Sequence, residues 1–503
     1  MSRPSESDAS ADPRVRAQEG VKVALAAQPT ADQPAARPQA PARQAPTDLT
    51  LGFVDETTVR GVAAAAADPD WLLADRLAGL HGFEALPIES NQLYTPYVDL
   101  RNAHLSAVRP YPAGTSGVAR AGKAKLPEGA AAYAEFAEDR LAALVLSPEA
   151  RDAGVLLETL ASLGARDPEL LRSLLEGGCT LPENDKLGQM TRALWTHGLF
   201  LHVPDGVRLE RPIVLRWAMG APNGALLSRT IISVGSDAEV SVVEEQVASA
   251  AGAGASAAGD GQAFFGGSTE VKLGAGSTLS FAGLQDFPTN QVAFQHRSAV
   301  VGKASTLRWA LAQLGCRVIR SRIDNTLEGD GSSVEQAEIV FGSIDQLFDL
   351  TSYTRHLGRD ATGNLLSKAA LSDRSRAYMK GLITIDKPAH GTDSFLGEFA
   401  MLLSKQARSV AIPSLEIDQP DCRRVAHASS VGPIDEAALF YLESRGLDPD
   451  EARKSIVLGY LEPVVARVPL ASAQDRLRDL LEAKWAASAG ARPAAGRATA
   501  AVA

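Results

Sequence analysis

The chain has 503 residues, of which 45% are hydrophobic and 22% charged, and a formal net charge of −10. That length supports a sizeable core, and the acidic balance argues against nucleic acid as a partner, because phosphate binding needs a concentrated basic face. Three widely spaced cysteines, Cys179, Cys316 and Cys422, form no disulfide framework, and neither a secretory leader pattern nor a run of about 18 apolar residues occurs, so the expected setting is the cytoplasm, away from membranes.

Residues 1–48 are rich in Ala, Pro, Gln and Ser and poor in large apolar side chains. They cannot offset the entropy of ordering and read as a disordered tail. Residues 49–197 read as an N-terminal helical domain. Asp68-Pro69-Asp70 marks a helix start, with Asp68 as capping carboxylate and proline at the first helical position. Trp71, Leu72, Leu77 and Leu80 follow at spacings that share a face, and Gly82 and Pro87 close the segment. Further helical stretches are expected at 132–146, 156–175 and 187–197.

From Gly198 the texture changes to apolar runs of about four to eight residues separated by Gly, Asp and Asn, which predicts strands through 198–412. A sandwich, a propeller and a β-helix all accommodate such a series, and no clean repeat separates them. Within it, 249–262 is almost wholly Ala, Gly and Ser and reads as a flexible loop. Helices are expected again over 413–487. Asp435 can cap a helix carrying Leu439 and Leu442, with Gly446 placed for a left-handed C-terminal residue. Asp448-Pro449 starts another helix, running to Gly459, and Ser472 opens a last one with Leu477, Leu480, Leu481 and Trp485 on one stripe. Residues 488–503 read as a second disordered tail.

Local motifs carry little chemistry. Gly117-Val-Ala-Arg-Ala-Gly122-Lys123 approaches a phosphate-binding loop, but Ala124 stands where a magnesium-binding hydroxyl is needed, so a basic loop is the better reading. Cys179 and Cys316 read as small apolar side chains. Cys422 and His427, five residues apart, are both potential iron ligands, though a single such pair is a weak signal. Acids such as Asp324, Glu328 and Asp330 leave a carbohydrate-active β-helix enzyme open as an alternative.

The run from Leu415 to Val464 is more telling. It contains LEI (415–417), HASSVGPIDEAALFYLESRGL (427–447) and DEARKSIVLGYLEPV (450–464). It resembles the most characteristic segment of the SufB/SufD family of iron–sulfur cluster assembly scaffolds. GLFLHVPDGVRLERPIVL (198–215), DPDWLLADRLAGLHGFEALP (68–87) and the set His356, Thr362, Ser367-Lys368, Arg376, Tyr378 and Gly381 agree with the family in order. The resemblance spans roughly 50–470. It implies a mainly β protein, a right-handed parallel β-helix flanked by N-terminal and C-terminal α-helical domains, acting as a non-catalytic scaffold.

Within that resemblance, SufB-type chains carry a Glu after the histidine of the C-terminal turn and a cysteine upstream. Here Ala428 follows His427, and 397–413 holds no cysteine, which favours the SufD branch over a SufB-type scaffold. The resemblance then implies pairing with SufB through the β-helix, or with a second copy when isolated. It also implies docking of a SufC ATPase on the C-terminal helices through Leu439, Phe440, Leu442, Arg445, Ile456 and Tyr460. A transient cluster or iron would be met at the SufB–SufD interface by His427, and nucleotide would be bound by SufC, not by this chain. Many SufD sequences place a cysteine two residues before this histidine; here that residue is Val425, and Cys422 could substitute only if the loop bends.

Overall fold

A computed structural model describes residues 51–112, 125–250, 261–468 and 471–490, together with Leu49 and Gly252. The expected tail over 1–48, the Gly117–Lys123 loop, most of the 249–262 segment and nearly all of the 488–503 tail lie outside the described residues.

The helices are α1 (Glu56–Ala66), α2 (Asp70–Ala85), α3 (Pro148–Asp152), α4 (Leu160–Arg166), α5 (Pro168–Leu175), α6 (Lys186–Leu194), α7 (Glu436–Ser444), α8 (Pro449–Val465) and α9 (Ala471–Gly490). Early strands are β1 (Arg109–Pro110), β2 (Ala132–Ala137), β3 (Arg140–Leu146) and β4 (Leu156–Thr159). The remaining sixteen alternate between two sheets. One takes β5 (His197–Val203), β7 (Gly224–Val234), β9 (Ala263–Leu273), β11 (Gln291–Val301), β13 (Val318–Leu327), β15 (Leu347–His356), β17 (Arg376–Ile385) and β19 (Arg408–Ile417). The other takes β6 (Ile213–Met219), β8 (Glu239–Ala248), β10 (Thr278–Asp286), β12 (Thr306–Gln313), β14 (Ser333–Gly342), β16 (Thr362–Leu371), β18 (Thr392–Leu402) and β20 (Cys422–Pro433). Each strand from β5 to β18 pairs in parallel with the strand two later, so the chain winds a parallel β-solenoid of about eight turns over 197–433.

The turns entering the second sheet explain how the coils stack. Gly235, Gly274, Gly302, Gly329 and Gly358 each stand four residues before a strand of that sheet. Two residues after each, Asp237, Gly276, Ala304, Gly331 and Asp360 adopt left-handed φ between 53° and 71°. Their N–H groups donate to the turn of the following coil, as from Gly331 to the Arg359 carbonyl at 2.7 Å. The leading glycines are dictated by close approach: a Cβ at Gly329 would lie 2.1 Å from the Lys303 nitrogen, and one at Gly358 would lie 2.2 Å from the Gly329 carbonyl oxygen. From Gly274 the glycines recur every 27 to 29 residues. The Ala/Gly/Ser insertion after Ser249 lengthens the preceding interval, which hides the period at its start.

Much of the lumen is apolar, with Trp217, Phe265, Phe281, Trp309, Phe348 and Met379 buried in one continuous cluster. Complete burial of such side chains contributes about 1.5–3 kcal/mol each. The outer faces are covered as well. Ala225, Leu227, Phe264, Val292 and Phe294 of the first sheet pack against α1, α2 and α6. Ala310, Ala312, Ile339 and Phe341 of the second meet α8 and α9. Burial on both faces is why these strands read as apolar runs and not as strict alternation.

Several sequence expectations change. Residues 132–146 form not a helix but the antiparallel hairpin β2–β3, turning at Glu138 with φ 53°. Pairing of β2 with β6, and stacking of Phe136 on Trp217 at 5.1 Å, override the helix propensity of the alanines. Residues 156–159 are likewise a strand, with α4 and α5 following it. Asp68 does not cap α2. Pro69 precedes the helix without a side-chain cap, and the Asp68 carboxylate instead pairs with buried Arg76 at 2.6 Å. The helices expected from 413 begin only at Glu436, because β19 and β20 add one more coil. Pro413, at the expected boundary, lies within β19, an edge strand where a missing N–H is tolerated. The capping expectations at Asp435 and Asp448 hold, as does left-handed Gly446 at φ 97°.

Candidate functional site: the open end of the solenoid

The two ends of the solenoid differ. At the first, β2 joins β6 in parallel, β3 and β4 add antiparallel edge strands, and Phe136 stacks on Trp217. At the second, β19 and β20 are the outermost strands of their sheets, and none of their residues is buried. Ile417 and Val431 are exposed there. Such an edge offers unpaired backbone donors and acceptors beside apolar surface.

His427 sits in the middle of β20, opposite Leu396. Strands in register place side chains in files, and this file runs Val242, Phe281, Trp309, Gln336, Leu365, Leu396, His427. The first six are buried and His427 is exposed. It occupies a core position of a coil that no further coil covers. Among the described residues no side chain hydrogen-bonds or ion-pairs with its ring.

Cys422 begins the same strand opposite Thr392, at a bulge in the pairing with β18. Its Sγ contacts the Gln419 carbonyl at 3.1 Å, and burial and then Asp421 push its thiol up. Five residues of strand separate it from His427, on the order of 15 Å at 3.3 Å per residue. The bend that would bring thiol and imidazole together is absent, and no group of three or more His, Cys, Asp or Glu side chains among the described residues could hold a metal ion.

Beyond β20, α7 has no buried residue. Phe440 is 72% exposed and Tyr441 55%, while Leu439 and Leu442 are half-buried and Arg445 lies exposed over the Tyr441 ring at 5.0 Å. Ile456 is half-buried on α8. Tyr460 turns toward the solenoid: its carbonyl accepts from Lys368 Nζ at 2.7 Å, and its ring lies under that ammonium. The expected docking set therefore divides, with Phe440 outward and Tyr460 inward. Tyr441 escaped the sequence reading; its neighbour Phe440 was the available signal.

Other conspicuous charged groups are engaged elsewhere. Between the first sheet and the N-terminal segment, His296 is held by Asp185 and Asp324, each at 2.8 Å, and Arg322 pairs with Asp324 at 2.7 Å. Arg320 bridges Glu89 and Asp349 at 2.7 and 2.6 Å, and Lys380 meets Asp349 at 2.5 Å. Burial works against the charge of His296, but the two carboxylates outweigh it and hold the ring at about 9. Four acids thus face four cations, the balance that burial of ions demands. Asp324 is consumed in this layer, while Glu328 and Asp330 sit exposed in a crossover turn, with Asp330 3.5 Å from Arg359.

Comparison with known proteins agrees with this architecture. Residues 217–460 match the family model described as SUF system FeS cluster assembly, SufBD core domain. The chain is 26% identical over 343 residues to the iron-sulfur cluster assembly protein SufD of Bacillus subtilis, covering 68% of this chain and 76% of that one. It is 21% identical over 432 residues to a SufBD family protein of Staphylococcus saprophyticus, covering 82% and 90%. SufB of Bacillus subtilis is 24% identical over 289 residues, covering 58% of this chain and 60% of that one.

Proposed function

We propose that this chain, which belongs through its core domain to the SufBD family of iron–sulfur cluster assembly proteins, serves as a SufD-type, non-catalytic scaffold subunit that completes its site only with a partner chain. The observation that carries the reading is His427, a lumen-file residue left at an uncovered coil.

A SufB-type chain pairing with β19 and β20 would satisfy the free strand edges and enclose His427. Its imidazole, free of side-chain partners among the described residues, then offers a nitrogen ligand to iron or a nascent cluster passing through the interface as cargo. The proposal rests on His427 alone; Cys422 is placed for packing. A SufC-type ATPase would dock on α7, where Phe440 and Tyr441 supply the aromatic anchors that hot spots favour. Leu439, Leu442, Arg445 and Ile456 would flank them. ATP would be bound and hydrolysed by that subunit in the cytoplasm. No helix among the described residues is long and apolar enough to cross a membrane.

The test is co-expression with SufB- and SufC-type partners, followed by affinity purification. The His427→Ala variant should co-purify like the wild type and yet lower the activity of cluster-dependent enzymes in a cell that relies on this chain. Normal activity would remove the role of His427, and failure of the wild type to co-purify would remove the scaffold reading.

A further inference from the structure

Glu398 lies one coil inside the open end. On β18 it pairs with Ser367 and Ser429, in the lumen file Glu244, Gly283, Leu311, Glu338, Ser367, Glu398, Ser429. It is 2% exposed, and its Oε2 has no hydrogen-bond partner among the described residues. The carboxyl crosses the lumen to the other sheet, where it accepts from the Ile412 amide of β19. Gly381 of β17 makes the crossing possible, since a Cβ there would come within 2.9 Å of Glu398 Oε1. One side chain thus links β18 to β17 and to the outermost strand of the opposite sheet.

No cation faces it. From β16 and β20 come Ser367 and Ser429, from β17 Gly381, and from β14 the carboxyl of Glu338; beyond the first sheet, the Tyr94 phenol is near enough to feel its charge. His427, two residues from Ser429, is exposed at the open end of the lumen and forms no ion pair with Glu398 among the described residues. A carboxylate in this setting would be a buried charge without a partner, whereas the carboxylic acid is tolerated.

We propose that Glu398 is a proton-operated latch on the terminal coil. As an acid it stays buried with β18 tied to β19 across the lumen; on losing its proton it becomes a buried charge without a cation, a cost that outweighs the stronger bond from the Ile412 amide and favours opening of the β19–β20 coil. Burial, opposed in part by the Ile412 amide and reinforced by Glu338, pushes the carboxyl up from 4.5 to about 8. The acid form therefore persists in the closed coil at pH values where an open, hydrated Glu398 is ionised. Closure is fully favoured below 4.5, weakens as pH rises from there, and loses the whole contribution once pH passes about 8. The latch is a property of the isolated chain; its effect on cluster assembly rests on the scaffold reading above.

The test is amide hydrogen exchange on the full chain without partners, corrected for the intrinsic pH dependence. The opening constant for β19 and β20 should rise by about ten-fold per pH unit between about 5 and 8 and level off above. Glu398→Gln should remove that rise, and Glu338→Gln, two coils further in, should retain it. A rise unchanged in Glu398→Gln, or no rise in the wild type, would overturn the latch. If the rise behaves as stated while SufB- and SufC-type partners fail to co-purify, the latch stands and the scaffold reading falls.

Discussion

At the scale of single residues, His296 shows how a buried ion can be structural. Its ring spans Asp185 and Asp324 with both nitrogens, so its charged form is the one that the fold wants. A folded-state pKa raised from 6.5 to about 9 gives stability that is fully present below 6.5 and lost as pH rises through 9. Urea unfolding should therefore show stability falling across that interval by on the order of a few kcal/mol. In His296→Asn the fall across the same interval should be smaller, with lower stability at pH 6. Nothing in the sequence announced this residue. Asp185, His296 and Asp324 lie far apart in the chain, and their meeting depends on α6 docking against β11 and β13. His427, by contrast, was legible through the family motif, and what the sequence withheld was its setting at the end of a buried file.

At the scale of elements, the glycine-led turn holds one coil against the next. Replacing Gly329 by Ala puts a Cβ against the Lys303 backbone, where neither side can yield without breaking a turn. Gly329→Ala should cost more than about 2 kcal/mol in thermal or urea unfolding, the range reached when a special backbone contact is lost. A loss within 0.5 kcal/mol would show that the turns tolerate spreading. The repeat behind this was present in the sequence as Gly-Ala-Gly-Ser-Thr (274–278), Gly-Lys-Ala-Ser-Thr (302–306) and Gly-Asp-Gly-Ser-Ser (329–333). It was obscured by a long insertion and by the tolerance of its third position for Asp, Ala or Gly. The misread hairpin at 132–146 failed for a different reason, since its alanines favour a helix until β6 is present to pair with β2. The strand residues at 413–433 failed for a third, because their outer coil lacks the dense apolar content of fully covered strands.

At the scale of the whole molecule, a capped end and an open end give the solenoid a direction. The exposed edge of β20, with Val431 39% exposed, should drive self-association when no partner is supplied. Sedimentation of the isolated chain should show a concentration-dependent dimer that Val431→Lys weakens, without change in unfolding midpoint. A dimer indifferent to that substitution would place the contact elsewhere, with α7 the next surface to examine.

The stacked turns have a further consequence. Because each coil stacks on the next and advances by one strand spacing, about 4.8 Å, the number of windings sets how far His427 stands from the closed cap. Removing or adding one Gly-to-Gly interval would shift His427 by one such step from the closed cap and would also change the coils on which α8 and α9 dock. The fold thus works as a gauge, in which the reach from the closed cap to His427 is counted in whole coils.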